Sequence, residues 1–125
     1  MIAVVQLRPA ADGEAQFGEA QFGEQAAIAL RVLAERPGFR RGSLGRATDD
    51  AQAWLLFTEW DSVGAYRRAL GGYEVKLRAT PVLARALDQP SAFEELLVID
   101  AAGAEQAMAS DRAPDADWAP RQPPA

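Results

Sequence analysis

A stretch of eight residues, 53–60, constrains the fold more than any other part of the chain. It reads Ala-Trp-Leu-Leu-Phe-Thr-Glu-Trp, and its aromatic and aliphatic side chains favour a β-strand. Because side chains alternate along a strand, Leu55 and Phe57 lie on one face, and Leu56 and Trp60 lie on the other. A strand with one solvated face alternates apolar with polar residues, and this one does not. Both of its faces therefore need apolar cover.

The next residues predict a helix that covers one of those faces. Asp61 or Ser62 is suited to cap its N-terminus, and Tyr66 and Leu70 fall on one apolar stripe. Two glycines at 71–72 end it. The other face is left for a partner, so we expect a homodimer in which two sheets pack face to face.

The order of the predicted elements indicates an α+β fold. They are strand 2–8, helix 14–36, strand 39–48, strand 53–60, the helix from 61 or 62, a segment from 73 to 88, and strand 91–100. Residues 73–80 alternate as a strand would, but an apolar stripe continuing to Leu87 favours a helix kinked near Pro81. The resulting βαββαβ order predicts a ferredoxin-like antiparallel sheet with its first and third strands in the centre.

A tandem repeat, Glu-Ala-Gln-Phe-Gly, occupies residues 14–18 and 19–23. Residues five apart cannot share one face of a helix, so Phe17 and Phe22 cannot both be buried by it. We therefore expect only the second copy to join the packed helix, while the role of the repeat stays open.

Composition divides the chain at about residue 100. Residues 1–100 are predicted to form the folded domain, and residues 101–125, rich in alanine and proline, a disordered tail. Trp118 is the one aromatic side chain of that tail. It is either a solvated aromatic or a docking residue.

The absent residue types and the net charge exclude several function classes. The chain has no cysteine and no histidine, which leaves no thiolate or imidazole ligand, so we expect no metal site. A net charge of −5 argues against nucleic acid and anionic membranes as partners. No apolar run is long enough to span a membrane, and a cytoplasmic location is expected.

Several segments resemble the antibiotic biosynthesis monooxygenase family, which has a dimeric α/β barrel fold. They are Pro37-Gly-Phe39, the glycine-bearing strand Gly42-Ser-Leu-Gly-Arg46, Leu55-Leu-Phe-Thr-Glu-Trp60 and Ser62-Val-Gly-Ala-Tyr66. The resemblance covers residues 2–100. It implies a cofactor-independent monooxygenase that acts on a small aromatic or polyketide-type metabolite, in which the deprotonated substrate itself passes an electron to oxygen.

The resemblance also implies the site residues. Trp60 and Tyr66 match the family's tryptophan and tyrosine and are the candidate catalytic residues, with a substrate cavity expected between them. The candidate substrate-binding residues are Leu56, Arg78, Val82, Leu83 and Leu87, with Arg78 as the cation. Leu56 stands where active members carry an asparagine, and the histidine of those members has no counterpart.

Two further interpretations stay open. The chain can be a non-catalytic small-molecule-binding or regulatory dimer of the same fold, which the missing asparagine and histidine favour. It can also be a dimeric scaffold, in which Trp60 and Tyr66 are packing residues and the arginines are solvated.

Overall fold

A four-stranded antiparallel sheet organises the fold in a computed structural model that describes residues 1–9 and 19–110. The chain divides into two compact units, of which the first ends at Phe93 and the second begins at Glu94. In chain order the first unit contains β1 (Ile2–Leu7), α1 (Glu19–Ala34), β2 (Phe39–Arg46), β3 (Trp54–Trp60), α2 (Val63–Leu70), α3 (Tyr73–Arg78), α4 (Thr80–Leu83) and β4 (Ala92–Phe93).

The strand order β2-β3-β1-β4 is the one that the ferredoxin-like prediction requires. The first and third strands are central, and their register pairs Ala3 with Thr58 and Leu7 with Trp54. The arginine-rich β2 is an edge strand, which fits its polar composition. The predicted α+β fold is therefore confirmed.

The core lies between the sheet and its helices. Alternate residues of β1 are buried on that side, and Leu56, Thr58 and Trp60 of β3 are buried with them. Helix α1 contributes a stripe at helical spacing, which consists of Phe22, Ala26, Ala29 and Leu33. The second copy of the repeat joins this helix, as predicted, while residues 14–18 lie outside the described residues.

The ambiguous segment after Gly72 is helical. Residues 73–78 form α3, and α4 follows with Pro81 in its first turn, where a proline is tolerated. The helix prediction for 73–80 is correct, and Val75 and Val82 are the buried residues of the two helices.

The end of the described chain differs from the prediction. Strand 91–100 is not continuous: β4 pairs with β1 through Ala92 and Phe93, whereas β5 (Leu97–Ile99) pairs with β6 (Glu105–Ala107) in the second unit. Residues 105–107, which lie within the predicted tail, form this strand. The Asp100 carboxylate accepts hydrogen bonds from the backbone of Ala102 and Ala104 at 2.9 Å each, which is turn chemistry that builds a hairpin.

Two further expectations concern membranes and the tail. Within the described parts of the chain, no helix has the length and apolar character needed to cross a membrane. Residues 111–125, with Trp118, lie outside the described residues.

Candidate functional site

Trp60 and Tyr66 lie side by side in the core. Their ring centroids are 5.5 Å apart at an interplanar angle of 51°. Trp60 is fully buried, and Tyr66 is 9% exposed. The predicted pair is therefore in contact, but the rings fill the space between them, where a substrate cavity was expected.

The surroundings of Trp60 hold its indole ring in one orientation. Its Nε1 donates a hydrogen bond of 2.8 Å to Thr58 Oγ1, two residues earlier on the same buried face of β3. The ring of Phe39 meets it edge to face, with centroids 5.3 Å apart. Thr58 is itself 2% exposed, so the hydroxyl and the indole N–H satisfy each other away from water.

A tight turn before β2 places Phe39 against Trp60. Gly38 adopts φ of 89°, which favours glycine, and its carbonyl accepts a hydrogen bond of 2.8 Å from the backbone of Asp61. A Cβ at Gly38 would lie 2.6 Å from Cβ of Ala65 in α2. The turn and the first turn of α2 are therefore in close contact, on either side of the end of β3.

Helix α2 begins immediately after that contact and positions Tyr66. Of the two predicted candidates, Ser62 is its N-cap, and the Ser62 hydroxyl accepts a hydrogen bond of 3.0 Å from the backbone of Ala65. Tyr66 then lies one turn into the helix, on the side that faces the sheet.

The electrostatic state of Tyr66 is set by its burial. Loss of solvation raises the pKa of Tyr66 above its ordinary value of 10.0, because burial disfavours the charged phenolate. No described residue makes a hydrogen bond to its hydroxyl. At neutral pH this side chain is protonated, and it can donate a proton or a hydrogen bond rather than act as a base.

The remaining predicted site residues do not surround this pair. Leu56 is 1% exposed and lies on the same face of β3 as Trp60, within the core. Arg78 extends along the surface of α3, where its Nε lies 3.2 Å from an oxygen of Glu74. Leu83 is partly buried against the core, and Leu87 is 39% exposed.

A cavity opens at the opposite end of β3. It has a volume of about 70 Å³ and lies between α1 and α4, and its lining residues are Phe22, Gln25, Pro81, Val82 and Arg85. Phe22 in turn meets the ring of Trp54 edge to face at 5.6 Å. Trp54 and Trp60 are six residues apart on β3, a separation of roughly 20 Å.

The structure thus places apart residues that were predicted to form one site. Trp60 and Tyr66 meet at one end of β3, whereas Val82 lines the cavity near the other end. Sequence reasoning missed Phe22, Gln25 and Arg85 as cavity residues. No local pattern marks them, because the cavity forms only where α1 packs beside α4.

Thr58 was also missed, although a signal for it was present in the sequence. A hydroxyl side chain on the buried face of a strand needs a hydrogen-bond partner, and Trp60 is its neighbour on that face. Across residues 1–9 and 19–110, no group of three or more acidic side chains is placed to hold a metal ion.

Comparisons with known proteins support the fold assignment. The family model described as antibiotic biosynthesis monooxygenase matches residues 1–76. Among solved structures, SnoaB, a cofactor-independent oxygenase from Streptomyces nogalater, shares 22% identity over 76% of this chain and 93% of that chain, with a TM-score of 0.56. A SnoaB variant shares 18% identity over 91% of this chain and 95% of that chain, with a TM-score of 0.58.

The same fold is found in more distant proteins. A conserved protein from Methanosarcina mazei shares 15% identity over 73% of this chain and 85% of that chain, with a TM-score of 0.53. No curated protein matches the chain in sequence. At these identities the structural neighbours establish the fold and not the reaction.

Proposed function

This chain belongs to the antibiotic biosynthesis monooxygenase family, and on that premise we propose that it is a cofactor-independent monooxygenase of a small aromatic or polyketide-type metabolite. The observation that carries the proposal is the Tyr66 side chain. It is buried against Trp60, protonated at neutral pH, and its hydroxyl is not engaged by any described residue. Such a group is available for proton transfer to a bound substrate.

The proposed reaction converts a CH₂ group that is activated by neighbouring phenol rings into a ketone. The acidic substrate loses a proton, and its anion passes one electron to dioxygen. The substrate radical and superoxide combine into a peroxide anion, which takes up a proton to give a hydroperoxide, and the hydroperoxide loses water to form the ketone. The sum is CH₂ + O₂ → C=O + H₂O, so the substrate supplies all the electrons. Tyr66 would donate the proton to the leaving oxygen, and Trp60 would provide a flat apolar wall.

Substrate entry requires the Tyr66 ring to move away from Trp60, because the two rings are in contact. Tyr66 is the outer member of the pair, and its 9% exposure places it at the border of the core. Leu56, on the same strand face as Trp60, remains our candidate for the floor of the opened site. Leu83 and Leu87 remain candidate apolar contacts, and Arg78 can serve as the cation once it is released from Glu74.

A second candidate function is a non-catalytic small-molecule-binding dimer. The closed contact between Trp60 and Tyr66 favours it, and so does the separate cavity that Val82 lines. In this case the fold retains a ligand site and Tyr66 is a packing residue.

Both candidates include a homodimer. The face of the sheet opposite the helices carries apolar side chains of three strands, and these are Ile2, Val4, Leu55, Phe57 and Phe93. A groove of about 330 Å³ on this face is lined by Val4, Gln6, Gln89, Pro90 and Phe93. A second copy that packs sheet against sheet would remove this apolar surface from water, which supports the dimer.

Oxygen uptake tests the monooxygenase. Metal-free protein is incubated with an anthrone, and oxygen consumption is followed with an electrode. Tyr66→Phe is expected to slow consumption by roughly hundred- to ten-thousand-fold, the range for loss of a proton-transfer group. The matched control is Tyr73→Phe, which removes the hydroxyl of a tyrosine that is 77% exposed and should leave the rate unchanged. Binding of the anthrone without turnover would instead establish the second candidate.

A further inference from the structure

We propose that the cavity between α1 and α4 is a binding site for a monocyclic aromatic acid, with Arg85 as the residue that pairs with the acidic group. Neither Trp60 nor Tyr66 lines this cavity, which lies toward the Trp54 end of β3. This site therefore does not depend on the proposed oxygenase.

The walls of the cavity suit one aromatic ring. Phe22 offers a ring, and Pro81 and Val82 add apolar surface from α4. Its volume of about 70 Å³ leaves room for roughly five water molecules, which is close to the space of a single ring and too small for a fused polycycle. Apolar walls with few polar groups are typical of small-molecule sites.

The polar groups of the cavity define the chemistry of its ligand. Gln25 brings an amide, and Arg85, a half-buried residue, brings a guanidinium. No described residue forms an ion pair or a side-chain hydrogen bond with Arg85. A guanidinium presents a rigid fork of donors that matches a carboxylate in a bidentate geometry.

The other arginines near this end are already engaged, which singles out Arg85. Arg8 forms an ion pair of 3.1 Å with Asp50, and Arg46 lies over the ring of Trp54 at 5.4 Å. The backbone of Arg85 is fixed as well, because its carbonyl accepts a hydrogen bond from the backbone of Arg8 at 3.2 Å. The positive charge of Arg85 is therefore held at the cavity, and none of residues 1–9 and 19–110 pairs with it.

Binding of benzoate tests the proposal on the full chain, and methyl benzoate serves as the uncharged comparison. Calorimetry should show that Arg85→Met weakens benzoate binding by roughly ten- to hundred-fold, as expected for a hydrogen bond between charged groups, and changes methyl benzoate binding less than about two-fold. The matched control, Arg67→Met, removes an exposed arginine of α2 and should not affect either ligand. Val82→Phe fills the cavity and should abolish binding of both.

The location is checked by the indole N–H signals in a nitrogen-15 correlation spectrum. Benzoate should shift the Trp54 signal, since Trp54 contacts the Phe22 wall, and leave the Trp60 signal in place. Equal benzoate affinity in Arg85→Met and wild type would overturn the proposal, as would a shift at Trp60 alone or no binding at millimolar benzoate. Oxygen uptake is not part of this test, so failure of the oxygenase proposal leaves its outcome unchanged.

Discussion

At the scale of single residues, the hydrogen bond between Trp60 and Thr58 should be measurable as a coupling energy. Both groups are buried, so removing one partner leaves the other unsatisfied. We expect Trp60→Phe to lower the free energy of unfolding by about 2–4 kcal/mol, from lost ring volume and the unpaired hydroxyl. In the double variant with Thr58→Val, the decrease in the free energy of unfolding should be smaller than the sum of the two single decreases by roughly 1 kcal/mol.

Urea denaturation of the four proteins measures this coupling. The control is Trp54→Phe, because Trp54 Nε1 is buried without a hydrogen-bond partner in the described part of the chain. Its effect should add to that of Thr58→Val without coupling. Strict additivity for Trp60 and Thr58 would show that their hydrogen bond contributes nothing to stability.

Tyr66 makes the free energy of unfolding depend on pH in the alkaline range. Its pKa is raised in the folded state, so the folded protein holds this proton more tightly than the unfolded chain does. The contribution is therefore complete below about pH 10 and is lost as the pH rises through the raised pKa of Tyr66. Unfolding free energies measured across that range should fall more steeply for wild type than for Tyr66→Phe.

An exposed tyrosine supplies the control variant for these measurements. Tyr73→Phe removes the hydroxyl of a side chain that is 77% exposed. Parallel curves for wild type and Tyr66→Phe would mean that the Tyr66 hydroxyl is as well solvated in the folded protein as in the unfolded chain.

At the scale of the elements, Gly42 lets α1 pack closely on β2. A Cβ at this position would lie 2.7 Å from Leu30 Cδ1 and 2.9 Å from the backbone oxygen of Phe57. The backbone oxygen cannot move aside, so Gly42→Ala should lower the free energy of unfolding by roughly 1–3 kcal/mol.

A second glycine of the same strand provides the control. A Cβ at Gly45 would meet no atom within 4 Å, so Gly45→Ala should be neutral or stabilising. Thermal unfolding compares the two variants directly. Equal melting temperatures would show that strand propensity, and not the approach of α1, determines the effect at Gly42.

At the scale of the whole molecule, the apolar face of the sheet predicts the assembly state. The chain mass is 13.4 kDa, and light scattering should give about twice that value for a homodimer. Val4→Asp places a charge at the centre of that face, opposite Phe57 in the register, and should shift the protein toward monomers.

Leu77→Asp tests whether any charge on an apolar surface would have the same effect. Leu77 is 55% exposed on α3, on the helical side of the molecule, and its variant should remain dimeric. A wild-type protein that scatters as a stable monomer would exclude the sheet-to-sheet dimer and leave the apolar face in need of another partner.

The sequence by itself determined the first three strands, the helices and the strand order of the four-stranded sheet. Periodicity and capping are local properties, so strand 53–60 could be predicted directly and the helix cap could be narrowed to Asp61 or Ser62. The apolar stripe favoured a helix over a strand at 73–80. The contact of Trp60 with Tyr66 could also be anticipated, because the two residues are close in sequence and lie on adjoining elements.

Only the tertiary structure decided whether the space between Trp60 and Tyr66 is a cavity or is filled by the two rings, and where another cavity lies. The packing of Phe22 beside Val82 and Arg85 depends on how α1 and α4 meet, and no local pattern encodes that distance. The hairpin at Asp100 could not be predicted for a related reason, since its second strand, Glu-Gln-Ala, has weak strand propensity and depends on turn hydrogen bonds. Local sequence determines elements, whereas cavities arise from the fit between side chains of distant segments.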